Sequence, residues 1–181
     1  MKMSLNRRRT ALALGTALGA TLSAAVAAAP PPAKKAASFL DDPTPVVAAF
    51  KAKIPAPFLV TELTISPTSA SIEVQDPRQK DVYDDYNYVN GKVSEPEPQQ
   101  VFSVTCKKGF SIDEADFSQV PVMMKDAVAR LNLEDGEAGS IHLSRGVFCK
   151  EPRWMIFVNG KRKDGSVEYD PKGKFRNAKV M

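Results

Sequence analysis

Apolar and polar positions recur along this chain with two different periods, and each change of period marks an element. Val46, Val47, Phe50 and Ile54 fall on one side of a helix. Thr44 is its expected N-cap, Pro45 its first residue, and Pro55 and Pro57 its stop. FLVTELTI (58–65) and SASIEV (69–74) then alternate as strands, with Ala70, Ile72 and Val74 on one face and Ser71, Glu73 and Gln75 on the other. QDPRQKD (75–81) reads as a loop. VYDDYNYVN (82–90) leads into Asn90-Gly91, a pair suited to the tight turn between antiparallel strands because both central residues take positive φ. The prolines of SEPEPQQ (94–100) lack the ladder donor, which confines that stretch to an edge or a connector.

The order then repeats. Ser118 is the expected cap of a second helix with an apolar stripe of Val120, Met124, Ala127, Val128 and Leu131, ended by a polar turn at EDGEAG (134–139). The continuity of that stripe makes Met123 and Met124 core residues rather than copper or heme ligands. SIHLS (140–144) and RWMIFV (153–158) alternate, and Trp154 leads its run as a core residue. Asn159-Gly160, Asp164-Gly165 and Asp170-Pro171-Lys172-Gly173 are turn signals for a closing meander.

YVNGKV (88–93) returns as FVNGKR (157–162), which predicts equivalent strand-to-turn corners whose Asn and Gly serve backbone shape. A helix with a small meander buries little alone, so two copies are expected to pack together. The fold class is therefore α+β: two tandem helix-plus-antiparallel-meander units, residues 43–106 and 107–181, forming one body.

Arg7, Arg8 and Arg9 precede an Ala- and Leu-rich run that reaches Ala25-Val26-Ala27, the pattern of a signal peptide over residues 1–27. The run is too weakly hydrophobic, and too soon followed by Lys34 and Lys35, for a retained membrane span. The arginines are also compatible with twin-arginine export. Residues 28–42 read as a flexible leader, and the product is expected to be periplasmic or secreted. Cleavage after Ala27 removes Lys2, Arg7, Arg8 and Arg9 and leaves 21 basic residues against 21 acidic. The high isoelectric point thus belongs to the signal, and nucleic-acid binding loses its support. Charge is uneven along the rest: residues 41–100 carry ten acids and five bases, residues 150–181 nine bases and four acids.

Cys106 and Cys149 lie in strand-like VFSVTC and GVFC, and an even pair in an exported chain reads as a disulfide. Closing that loop stabilises the fold by about 4 kcal/mol in the chain-entropy model. No Cys-x-x-Cys spacing or further ligand set favours a metal or redox pair.

The ending WMIFVNGKRKDGSVEYDPKGKF, an aromatic-led strand followed by turns and short strands, resembles the PepSY pattern. IEVQDPRQKDVYDDYNYVNGKV repeats it more loosely, and tandem units of this kind also resemble the β-lactamase-inhibitor-protein fold. The resemblance implies a non-catalytic exported module that binds or regulates proteins, and it carries over no binding residue.

Candidate chemistry is sparse. The single histidine, His142, lies opposite Ile141 and Leu143 and is expected toward solvent as an exposed or hydrogen-bonded ordinary histidine; one histidine argues against a zinc site and a Ser-His-acid hydrolase. Walker-type and dinucleotide glycine loops are absent. Asp81, Asp84, Asp85 and Asn87 form an oxygen-rich cluster, but without the EF-hand spacing, and strand alternation separates Asp84 from Asp85 and Asn87. No cofactor is expected. Tyr83, Asp84, Asp85, Tyr86 and Tyr88 are the candidate partner-binding residues, because tyrosines interleaved with acids suit recognition; packing of Tyr86 and Tyr88 under a helix is the competing reading. The expected function is a non-enzymatic exported module that recognises an envelope or extracellular protein, including as an inhibitor. The alternative is an envelope enzyme acting on glycan or peptidoglycan with a carboxylate pair.

Overall fold

The computed structural model describes residues 38–181 apart from residues 77, 80 and 100–105. The expected signal peptide, most of the leader and the VFSVT segment lie outside the described residues.

Helix α1 (Thr44–Lys53) is followed by β1 (Leu59–Ile65), β2 (Ser69–Gln75), β3 (Tyr83–Val89), and the short β4 (Lys92–Val93) and β5 (Glu97–Gln99). Helix α2 (Val120–Leu131) is followed by β6 (Glu137–Ser144), β7 (Arg153–Asn159), β8 (Asp164–Tyr169) and β9 (Phe175–Val180). The strands form one antiparallel sheet in the order β4-β3-β2-β1-β6-β7-β8-β9, with β5 also paired to β3. Each helix is thus followed by a meander, and the first strands of the two meanders, β1 and β6, pair at the centre. The architecture is α+β.

Both helices cover the same face. Val46, Val47 and Phe50 of α1, and Val120, Met123, Met124, Ala127 and Leu131 of α2, join one core with Leu63, Ile65, Ile72, Ile141, Leu143, Trp154, Ile156 and Val167 of the strands. Strand alternation sends the remaining side chains to a second face that neither helix covers.

Local expectations hold in part. The apolar side of α1 is buried as its spacing predicts, but Thr44 is already helical. Pro43 occupies the cap position, and Asp42 Oδ1 accepts from the Thr44 amide at 3.0 Å. Ser118 does not cap α2 either: it lies in a short 3-10 turn capped by Asp116, and α2 begins at Val120 with Pro121 in its first turn. The Pro45 signal placed α1 well, and Pro121 occupies the equivalent place in α2, because a proline lacks only a donor that the first turn leaves unpaired anyway. The leader ends earlier than expected: Leu40 is buried, the Phe39 amide donates to Pro67 O at 3.0 Å, and the Phe39 ring meets Tyr88.

The twin phrases behave differently. Asn90 and Gly91 both take positive φ, 53° and 78°, and make the tight β3–β4 turn. Neither Asn159 nor Gly160 does, and the β7–β8 connection runs through residues 160–163. Gly160 is required by space: a Cβ there would lie 2.6 Å from Lys163 O and 2.9 Å from Leu133 Cβ. Nor are the corners equivalent, since the first phrase ends the third strand of its meander and the second phrase ends the second strand. Asp164-Gly165 is not a turn but the start of β8, where Leu131 Cδ1 and Lys179 O crowd the glycine. Likewise EDGEAG contributes only Glu134 and Asp135 to a turn before β6 begins at Glu137, and GVFC is a turn rather than a strand, with Cys149 at φ 50°. Asp170 to Gly173 is a turn as expected, closed by the Gly173 amide donating to Asp170 O at 3.0 Å.

Candidate functional site

Register assembles the uncovered face. Glu62 on β1 stands opposite Glu73 on β2, Glu73 opposite Asp85 on β3, and Asp85 opposite Glu97 on β5. Four carboxylates therefore lie in one row across four neighbouring strands, about 4.8 Å from strand to strand. The row continues past the sheet centre through Ser144 and Arg153. Like charges facing each other across a ladder are destabilising, so the row needs compensation.

Part of it comes from a bulge and part from a bridge. The β1–β2 register slips between Val60 and Glu62, which turns the buried Thr61 hydroxyl to donate to Glu73 Oε1. The segment after Cys106 runs beside the start of β1, with Phe110 and Val60 exchanging backbone bonds at 2.8 and 2.9 Å. Lys107 is thereby laid over the Tyr83 ring, 5.1 Å from its centroid, and its ammonium bonds Glu73 Oε2. Cys106 pairs with Cys149 as expected, tying this segment to the β6–β7 turn. Among the described residues Asp85 has no such partner. Burial, then the charges of Glu73, Glu62 and Glu97, push its carboxyl up to about 6, against the opposing pull of Lys107. Glu62, Ser71, Glu73 and Asp85 line a hollow of about 170 Å³.

Two residues along each strand, a second row crosses the same face: Asn87, Ser71, Thr64, His142, Met155 and Glu168. His142 is on this face, and of its two expected states it takes the hydrogen-bonded one. Its Nδ1 lies 3.0 Å from Thr64 Oγ1, its Nε2 3.2 Å from Ser140 Oγ, and its ring sits edge-on to Phe157. Burial lowers its pKa below the usual range, opposed by Glu62 at 4.0 Å. Among the described residues a hydroxyl, not a carboxylate, is the nearest group to Nδ1, so the imidazolium that a serine hydrolase must stabilise has only the more distant Glu62.

The expected partner-binding residues are split by strand alternation. Tyr86 and Tyr88 point into the core, 5% and 8% exposed, with Tyr88 edge-on to Phe39 and Phe50. Packing under α1 is therefore their role, and a partner reaches neither ring without opening the core. Tyr83 lies on the uncovered face but beneath Lys107, and its hydroxyl faces Lys107 O at 3.5 Å. Asp84 shares the side of Tyr86, opposite Val74, whereas Asp85 remains on the uncovered face. Among the described residues, no three His, Cys, Asp or Glu side chains are arranged to hold a metal ion. Trp154 is fully buried, its Nε1 donating to Pro171 O at 3.3 Å.

Glu62, Glu73 and Glu97 were not among the sequence candidates. Their signal was present: with Asp85 they recur every 11 or 12 positions, one meander step, so each lands on the same face of the next strand.

No family model matches the chain, and no curated protein matches it. Its fold is similar to the crystal structure of a candidate lipoprotein from Clostridium difficile 630. The TM-score is 0.58 at 12% identity, over 80% of this chain and 93% of that chain. At that identity the likeness concerns the fold alone. Among the described residues, no helix is long and apolar enough to cross a membrane.

Proposed function

We infer that this chain is an exported, non-catalytic binding module that engages a basic surface of a protein partner with the uncovered face of its sheet. The observation that carries this reading is the row of Glu62, Glu73, Asp85 and Glu97, four carboxylates served among the described residues by one bonded lysine, Lys107. Such a row costs stability in the free protein, and a lysine or arginine from a partner relieves it. The disulfide and the fold likeness to a candidate lipoprotein support export to the envelope. The helix-meander order on each side of the β1–β6 seam supports two units sharing one sheet, and with them the PepSY-like or inhibitor-like resemblance. In the inhibitory form, occupying the partner would also block its activity.

Pull-down from envelope extract with the oxidised protein tests this reading. A partner should be retained by the parent and lost from Glu62→Gln/Asp85→Asn, with both proteins folded. Equal retention by the two would refute it.

The carboxylate cluster also favours a second reading, glycan hydrolysis. Asp85, held near 6, has the protonation of a general acid, and Glu73 stands opposite it on the neighbouring strand. Against it, the 170 Å³ hollow is smaller than the usual range for ligand pockets, about 300–1,000 Å³. Release of soluble fragments from peptidoglycan, abolished by Asp85→Asn, would establish this reading over the first.

A further inference from the structure

The opposite end of the sheet has different chemistry. β9 pairs with β8 alone among the described strands, and every one of its six residues is exposed. It is nonetheless held in place: the Phe175 ring lies 3.9 Å from the Arg130 guanidinium and edge-on to Tyr169.

Register shows what its free edge offers. The Met181 amide donates to Asp164 O at 2.8 Å, which makes residues 164 and 181 a hydrogen-bonded pair. Antiparallel pairs alternate, so Lys179 and Asn177 turn their backbone groups toward β8, while Ala178 and Val180 turn theirs outward. A bulge at Glu168–Tyr169 sorts the side chains. Arg176, next to Asp170 at 3.8 Å, joins Asn177 and Lys179 on the uncovered face; Phe175, Ala178 and Val180 are on the helix side. The free edge thus presents unpaired donors and acceptors between a basic margin and an apolar one.

We propose that β9 receives an extended segment of another protein in which acidic and apolar residues alternate, added as a further antiparallel strand. Backbone groups of Ala178 and Val180 supply the ladder, acidic side chains meet Arg176 and Lys179, and apolar ones cover Val180 and Ala178. Edge lysines usually discourage pairing between like edges, and here they select by charge. A second copy is a poor occupant. Its β9 brings the same positive charge, and its opposite edge is acidic but interrupted by Pro96 and Pro98, which have no donor. This inference does not rest on the acidic row and concerns a partner segment of opposite sign.

The probe is a labelled short peptide alternating valine and glutamate, followed by fluorescence anisotropy with the oxidised protein. Saturable binding is expected, and it should weaken as salt rises to about 0.5 M. Ala178→Pro removes only an outward amide, so the fold should persist, read by Trp154 emission, and affinity should fall at least about tenfold. If that variant unfolds, Arg176→Glu/Lys179→Glu decides: it should reject the Val-Glu peptide and accept its Val-Lys counterpart. The proposal is overturned by no binding, by a peptide N-methylated along one edge binding as tightly as the unmodified one, by unchanged binding to folded Ala178→Pro, or by charge reversal without a change of preference. Self-association that Ala178→Pro abolishes would also overturn it, making β9 a contact between copies.

Discussion

Replacing Asp85 with asparagine should stabilise this protein, and only above a definable pH. The Asp85 carboxyl is raised from 3.8 to about 6 in the folded state by burial and by Glu73, Glu62 and Glu97 on the strands beside it. Between those values the native state holds the proton more often than the unfolded chain does, so stability declines as pH rises through the window. The interval corresponds to at most about 3 kcal/mol, and partial exposure of the side chain screens this to about 1 kcal/mol. Asparagine keeps the shape and removes the charge. Asp85→Asn should therefore gain about 1 kcal/mol at pH 7–8 and almost nothing near pH 3.5, where the parent carboxyl is already neutral. Urea denaturation followed by Trp154 emission gives the measurement, because the single tryptophan is fully buried. An equal gain at both pH values would mean that shape rather than charge governs this position. A loss at pH 7 would mean that the ionised carboxylate has a favourable partner, and the account of the acidic row would fail.

The remaining predictions concern the scaffold. Cys106→Ala/Cys149→Ala should lower unfolding free energy by up to about 4 kcal/mol, and reductant should reproduce the loss in the parent but not in the variant, both read by denaturant titration. Tyr169→Phe deletes a buried hydroxyl that donates to Asp126 Oδ2 at 2.9 Å; about 2 kcal/mol should be lost in the same assay, with little change in fold by circular dichroism. Gly165→Ala forces a Cβ to within 2.8 Å of Leu131 Cδ1 and 2.9 Å of Lys179 O and should cost about 1–3 kcal/mol, loosening β9 in hydrogen exchange.

What the sequence made legible was whatever depends on neighbours along the chain. Apolar periodicity located α1, α2 and the strand faces, and Pro45 and Ser118 placed the two helix starts to within two residues. Asn90-Gly91 was readable because its backbone demand is local. Asn159-Gly160 did mark the β7–β8 connection, though without the positive φ of the first pair, whereas Asp164-Gly165 was misread as a turn because that glycine answers to atoms distant in sequence, Leu131 and Lys179. The same distinction explains the tyrosines. Alternation placed Tyr86 and Tyr88 on one face, but only the docking of α1 and Phe39 decides that this face is inside. The acidic row was the least legible feature, since cross-strand register is a property of the folded sheet.

Topology also converts an uneven sequence into an uneven surface. The sheet order carries the first meander outward from the centre on one side and the second outward on the other, so position in the chain becomes position across the sheet. Residues 41–100, with ten acids and five bases, make the β1–β5 side; residues 150–181, with nine bases and four acids, make the β7–β9 side. The even balance of charge from residue 28 onward, 21 basic residues against 21 acidic, therefore conceals a dipole across the sheet, which orients approaching partners more than it attracts them. A partner region steered to the acidic side meets an uncovered face with charged side chains in register, and one steered to the basic side meets an open backbone edge. Under the two proposals above, the sides call for different contacts, side-chain pairing at one and strand addition at the other. Added salt should weaken both, whereas a proline at residue 178 should affect the second alone.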